Sequence, residues 1–402
     1  MRISKKQFLG TLCGVFLEYF DYTLYGFSAP IIASLFFPNE KPAIELLLAW
    51  MVFAISFLVR PVGAIIFGHI ADRLGRRPIL IATILLMSFS TTGIGLLPTY
   101  QTAGLLAPIL LLCCRLLQGL AVSTEYSGCS TYLLEFKKSH QGLVSGVITS
   151  ASGFGIFCAS LLVLLFHQGH WRMPFIIAGL LVGVLGFYLR LGLMESPEFL
   201  KLKKQNAIVR FPLIQLLQKN PRKLLKSIII SAYVGIAIIC IEIYLPTYLQ
   251  THFNFSRNRA LEISTSIALL EAFLAIFFGF ISDFIDKSKV IIFSGITMIL
   301  FIFPILKLFN IHSYLIILFA TFLLACIIAA VDGPIAAYLV NCFSTETRYT
   351  GVSISYSVGA ALFGGVSPAV IIALQNHFLN YTIFGWYLMC SAIIMIVSLK
   401  CL

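Results

Sequence analysis

Glu18 and Asp21 stand three residues apart inside an apolar run that reaches from Leu9 to Phe37, and Tyr22 and Tyr25 continue the same stripe at helical spacing. An ionisable side chain inside such a run is expensive unless paired or wetted, so each one is a candidate for carrying a charge. Arg115 is the matching cation in a later run, with Gln118 and Glu125 beyond it. At 1.5 Å per residue, Glu18 and Asp21 come roughly 14 and 18 Å into their run, and Arg115 roughly 18 Å into its own from the opposite end. A pair of Arg115 with Asp21 or Glu18 is therefore expected at mid-depth. The arginine favours the charged acid and desolvation disfavours it, so a motion that shifts this balance makes proton uptake and release follow that motion. Glu125, roughly 33 Å along its run, reads as a proton exit or gate. Glu242, Glu271 and Asp332 are isolated acids in later runs, and Asp332-Gly333-Pro334 is expected to break its helix locally. Arg60 and Arg190 fall nearer helix ends.

The elements that must hold these residues are set by composition. The chain has 402 residues, of which 59% are hydrophobic and 11% charged, with a mean hydropathy of +0.97. A soluble domain needs roughly a quarter of its residues charged, so lipid is the main solvent, and the continuous runs require helices rather than a barrel. Twelve runs are expected, at 9–37, 46–68, 78–98, 103–134, 143–166, 173–194, 224–250, 260–282, 288–307, 313–341, 350–375 and 379–399. Twenty of the 28 Lys and Arg residues lie in one set of connections and five in the other, which places both termini in the cytoplasm. The net charge of +12 is then mostly topological and implies no nucleic-acid partner. None of the ten cysteines forms a CxxC pair, and they read as small core residues.

The longest polar stretch, 195–223, divides the chain into bundles at 1–194 and 224–402. The halves repeat. Gly68-x3-Asp72-Arg73-x-Gly75-Arg76-Arg77 after the second run is echoed 211 residues later by Gly279-x3-Asp283, with Phe284 in the place of Arg73 and Asp286 in that of Gly75. Two such halves create a central cavity at mid-membrane. The first loop resembles the signature of the major facilitator superfamily, in which the glycine allows close helix approach and the charges latch the bundles in one of two states. Gly14-x3-Glu18-Tyr19-Phe20-Asp21-Tyr22-x2-Tyr25-Gly26, Arg60-Pro61-x-Gly63, Arg115-x2-Gln118-Gly119, Trp171-Arg172-x-Pro174-Phe175, Glu195-Ser196-Pro197-x-Phe199 and Arg348-Tyr349-Thr350-Gly351 resemble its metabolite–proton symporter branch. That branch is similar to bacterial proline and betaine carriers and includes carriers of dicarboxylates, citrate and shikimate. Ser123-Thr124 stands where the branch has Gly-Gly.

The resemblance implies an all-α integral membrane protein of the inner membrane, with twelve helices in two pseudo-symmetric bundles. It implies proton-coupled import of a small polar metabolite, with protons as coupling ion and no other cofactor or metal, by a monomer. Mid-membrane cations are few, so a zwitterion fits better than a di- or tricarboxylate. Its carboxylate would meet Arg115 and its cation the rings of Phe20, Tyr22 and Tyr25. An organic-acid symporter and a small-molecule exporter on the same fold are the alternatives. No Gly-x-Ser-x-Gly elbow, His-Glu-x-x-His motif or phosphate loop supports an enzyme. Gly142, Gly146, Gly153, Gly155, Gly359, Gly364 and Gly365 are expected where the two halves slide past each other.

Overall fold

The computed structural model describes the chain apart from residues 1–4, 40, 75, 124, 138, 167–169, 192–211, 345–346 and 402, and apart from the side chains of 6–7, 68–80, 189–191, 212–214 and 219. Among the described residues every regular element is a helix. The twelve principal ones are α1 (Lys5–Phe36), α2 (Pro42–Leu58, resumed as Arg60–Leu74), α3 (Arg76–Leu96), α4 (Leu106–Val122, resumed as Glu125–Phe136), α5 (Gln141–Leu165) and α6 (Arg172–Leu191). There follow α7 (Pro221–Ile238, continued to His252), α8 (Arg257–Ile281), α9 (Lys287–Leu308), α10 (Tyr314–Cys342), α11 (Arg348–Tyr356, continued to Phe378) and α12 (Ile383–Cys401). Nine of these helices are long and apolar enough to cross a bilayer, α3 and α6 supply shorter apolar spans, and α1 is the twelfth.

The packing repeats between the halves. α1 lies on α5 as α7 lies on α11; α3 lies on α6 as α9 lies on α12; and α2 on α11 mirrors α8 on α5. The last two contacts are the seams that join the bundles. Side-chain-free positions make the α5–α8 seam close: a Cβ on Gly279 would stand 2.8 Å from the Cα of Gly146. Of the glycines expected at sliding surfaces, Gly142, Gly146 and Gly153 do face α8, and Gly365 faces Phe57 of α2. Gly155 instead packs on α1, and Gly359 and Gly364 pack on α7, inside their own bundles. Their spacing marks close approach, which both kinds of contact require.

Local sequence explains where helices deviate. Pro61 has no N–H for the carbonyl of Phe57, and α2 is interrupted at Val59. Two π-helical segments, Ile239–Tyr244 in α7 and Ser357–Gly364 in α11, each insert a wider turn next to the central axis. The expected break at Asp332-Gly333-Pro334 is corrected: α10 runs unbroken through Pro334. Hydroxyls of α5 support it, with Thr149 donating to the carbonyl of Asp332 (2.9 Å) and Ser145 accepting from the N–H of Ala337 (3.2 Å). Part of the segment expected as the central loop is a short helix, Pro212–Lys219, while residues 195–211 lie outside the described ones. The ten cysteines are free; Cys129 and Cys240 are buried, whereas Cys113, Cys390 and Cys401 are exposed rather than core residues.

Candidate functional site

The stripe of Glu18, Asp21, Tyr22 and Tyr25 divides in two, because residues four apart on α1 look the same way. Asp21 and Tyr25 face α2, α3 and α4. The hydroxyl of Thr91 on α3 donates to Asp21, and Gln118 Nε2 stands 3.3 Å from each of its carboxylate oxygens and 2.7 Å from Thr91. Arg115 does not meet either acid directly, which corrects the expected ion pair. Its guanidinium donates to Gln118 Oε1 (2.7 Å), to the hydroxyl of Ser56 (2.6 Å) and to the carbonyl of Phe53 (3.4 Å). It also lies 4.4 Å from the Tyr25 ring centre, and the Tyr25 hydroxyl is bonded to the carbonyl of Ala49. Gln118 thus acts as an adaptor, accepting from the arginine with its oxygen and donating to the acid with its nitrogen. Asp21 and Arg115 are both fully buried, so this network is dry.

Glu18 and Tyr22 look towards the interruption in α2, where Arg60 sits. Arg60 Nη1 is 3.8 Å from Glu18 Oε1, and its guanidinium lies over the rings of Phe57 (4.0 Å) and Tyr22 (5.0 Å). Arg60 does stand at a helix end, the start of the resumed segment of α2, but that end is internal: Arg60 is 6% exposed and lines two narrow clefts between the bundles. Tyr19, Tyr22, Phe57, Gly235, Tyr356 and Ala360 wall one; Glu18, Ser123, Tyr126 and Ser357 wall the other. Both clefts contain residues of each half. Tyrosines bridge them, with the hydroxyls of Tyr19 and Tyr356 bonded to each other and the Tyr126 ring stacked 4.3 Å from Tyr356. The tyrosine rings expected to be open to a substrate cation are already against arginines, since Tyr22 and Tyr25 each take one; Phe20 stacks on Phe16.

The remaining candidates are distributed around this centre. Glu125, 9% exposed, opens the second segment of α4, and Ser123 packs against Gly63. Glu242 is in the π-helical turn of α7, Glu271 on α8 and Asp332 on α10, each at most 2% exposed. Arg348 pairs with Glu135 across the two halves at 3.3 Å. Asp283 caps α5 across the same divide: its two oxygens accept the N–H groups of Gly142 (2.7 Å) and Leu143 (2.9 Å). The second loop therefore joins the two bundles although its arginine is replaced, because the contact is a carboxylate on a helix N-terminus. Gly68, Asp72, Arg73, Gly75, Arg76 and Arg77, the first loop, lie outside the described side chains. At the opposite end the halves meet through Trp50 and Tyr244, whose rings are 5.3 Å apart, and through Ser160 and Thr265 at 2.5 Å.

Thr91, Ser56, Arg60, Tyr19, Tyr126 and Tyr356 are missing from the residues the sequence singled out for the site. Only Arg60 carried a signal: a proline after an arginine inside a span marks a helix break that aims the arginine inward.

Twin six-helix bundles around a charged, enclosed centre define a membrane transporter. The model of the Major Facilitator Superfamily matches residues 11–368, and the chain belongs to that family. It is 30% identical over 414 residues to the proline/betaine transporter of Salmonella typhimurium, covering 98% of this chain and 82% of that one. The proline/betaine transporter of Escherichia coli is 29% identical over the same length and the same shares. Among solved structures, a D-xylose–proton symporter aligns over 97% of this chain and 96% of its own with a TM-score of 0.75 at 17% identity. The E. coli xylose transporter XylE in a partially occluded inward-open form gives 0.73 at 16% over the same shares, and both share the fold.

Proposed function

We propose that the chain imports a small zwitterion, such as proline or a betaine, by symport with protons across the inner membrane, with both termini cytoplasmic and no other cofactor. The observation that carries the reading is the Glu18–Arg60 pair, held on one wall of a cleft shared by both bundles. A zwitterion fits between such partners: its carboxylate takes Arg60, its cationic end takes Glu18, and no net charge enters the dry centre. Tyr19 and Tyr356 at the cleft wall add ring faces for a quaternary or secondary ammonium, worth about 0.5 to 2 kcal/mol. A dicarboxylate would need a second free cation, and Arg115 already has three acceptors. Both names of the Salmonella and E. coli relatives agree with this substrate class.

Coupling is assigned to Asp21. Protonated Asp21 releases the Gln118 amide, Gln118 and Arg115 rearrange together, and α1, α2, α3 and α4 respond because the network touches all four. Uptake of radiolabelled proline and glycine betaine into proteoliposomes tests both claims. Wild type is expected to accumulate one of them under an inward proton gradient. Asp21→Asn is expected to exchange substrate at equilibrium without accumulating it. Accumulation of a dicarboxylate with neither zwitterion moving overturns the substrate reading, and full accumulation by Asp21→Asn overturns the coupling site.

A further inference from the structure

We infer that Glu242, Glu271 and Asp332 form a second proton-carrying site, in the C-terminal bundle and apart from Asp21, opened and closed as α5 moves across α8 and α10. The inference rests on reading the chain as a cation-coupled transporter. The acids belong to three helices, α7, α8 and α10, and are 1%, 2% and 2% exposed. Each keeps one oxygen, Glu242 Oε1, Glu271 Oε1 and Asp332 Oδ1, with no hydrogen-bond partner among the described residues. No ion pair joins any of them to a basic side chain there. The contrast with the other bundle is direct, since Glu18 has Arg60 and Asp21 has Thr91 and Gln118.

Among the described residues the cation that shares a cleft wall with α7 is Arg60 of α2, beside Ile238 and Ile239, and it is engaged by Glu18. α5 and α10 contain no Lys, Arg or His; those of α7 (Arg222, Lys223, Lys226, His252), α8 (Arg257, Arg259) and α9 (Lys287, Lys289, Lys307) are at helix ends. Glu242 and Asp332 act on each other electrostatically, and Glu271 acts with both. Phenols surround them, since Tyr19, Tyr126 and Tyr356 interact with Asp332, and Tyr22 with Asp332 and Glu242; through Tyr22 and Tyr126 the neighbourhood extends to Glu18, and through Tyr22 to Arg60. Three anions that act on one another in a dry interior without an ion-pair partner repel, and some cation must accompany them. A metal ion needs ligands gathered at one point, and the described residues hold no such group of three. A proton needs no coordination shell.

Access to the three acids is controlled from the other bundle. Gly153 of α5 leaves the space that Glu271 Oε2 occupies, where a Cβ would collide with it. Thr149, one turn away on α5, donates to the carbonyl of Asp332. α5 therefore covers the acids like a cover plate, and parting of the α5–α8 seam wets them. Each carboxylate then takes one proton from the side to which it opens and gives it up to the other, which raises the number of protons moved per cycle above the one carried by Asp21.

Infrared difference spectroscopy of the full chain in lipid, between acid and alkaline buffer, reads carboxyl protonation without any substrate. Wild type is expected to show a pH-dependent carboxyl C=O band, of which Glu242→Gln, Glu271→Gln and Asp332→Asn each remove a part. Asp21→Asn is expected to leave that part intact. Each single variant is checked for folding by its melting curve, so a misfolded triple variant does not decide the matter. Single variants that all retain the full wild-type band overturn the inference, as does suppression of the band by sodium ions at fixed pH. Because transport is not measured, a failed zwitterion uptake leaves this result standing, and a missing band leaves the uptake result standing.

Discussion

Arg60 does more than any other residue to define the centre, and its chemistry is specific to a guanidinium. It lies flat against Phe57 and Tyr22 while reaching Glu18, which a planar delocalised cation does and a compact ammonium does not. Arg60→Lys is expected to keep the charge, fold normally and raise the substrate KM at least tenfold. Loss of one stacked, charge-assisted contact of about 1.5 kcal/mol or more produces that change. Equal KM in both proteins, measured by initial uptake rates, would place the substrate elsewhere. Asp21 and Arg115 differ from this pair in lining neither of the two clefts between the bundles, which suits a relay better than a docking surface.

Helix ends and interruptions place these residues, and their strength is measurable. Asp286 caps α9 by accepting the N–H of Ser288 at 2.7 Å, and that bond, with the Ser288 hydroxyl, holds its carboxyl below the usual carboxylate range. A carboxyl lowered in the folded state contributes stability that is present above its unfolded value and lost as pH falls through its folded one. Asp286→Ala is therefore expected to lower the melting temperature near neutral pH, by a cap loss of about 0.5–2 kcal/mol, with the gap to wild type closing in strong acid. A gap independent of pH would exclude the charged cap. Pro61 works in the opposite sense, interrupting α2 so that Arg60 turns inward. Pro61→Ala is expected to straighten α2, match or exceed wild type in melting temperature, and transport more slowly.

Across the whole molecule the bundles touch at both ends of the centre. On the face carrying the N-terminus they meet at Asp283 on α5, Arg348 with Glu135, and Asn341 with Gln141 at 2.9 Å; at the far end they meet at Trp50–Tyr244 and Ser160–Thr265. An alternating cycle opens one set while the other holds. Asp283→Ala removes two charge-assisted bonds and leaves the α5 N-terminus uncapped, roughly 1–2 kcal/mol, enough to change the ratio of closed to open forms several-fold. Hydrogen exchange in the first turn of α5 is expected to accelerate accordingly while that of Tyr244–Tyr248 stays unchanged. Equal exchange in variant and wild type would show that Arg348–Glu135 closes that face unaided.

Much of this was readable beforehand. Twelve apolar runs, the duplicated Gly-x3-Asp loop and the buried acids of α1 determine a membrane bundle of two halves, because lipid forces every backbone group into helices and makes each buried charge conspicuous. Partnership was not readable. Which arginine meets Glu18, that Gln118 stands between Arg115 and Asp21, that α10 stays whole at Pro334, and that three acids of α7, α8 and α10 share one unpaired neighbourhood were decided by tertiary packing alone. Depth along a helix follows from residue count, but the direction a side chain faces depends on rotation, interruption and the helices beside it. A single chain of letters carries the first and leaves the second to the folded bundle.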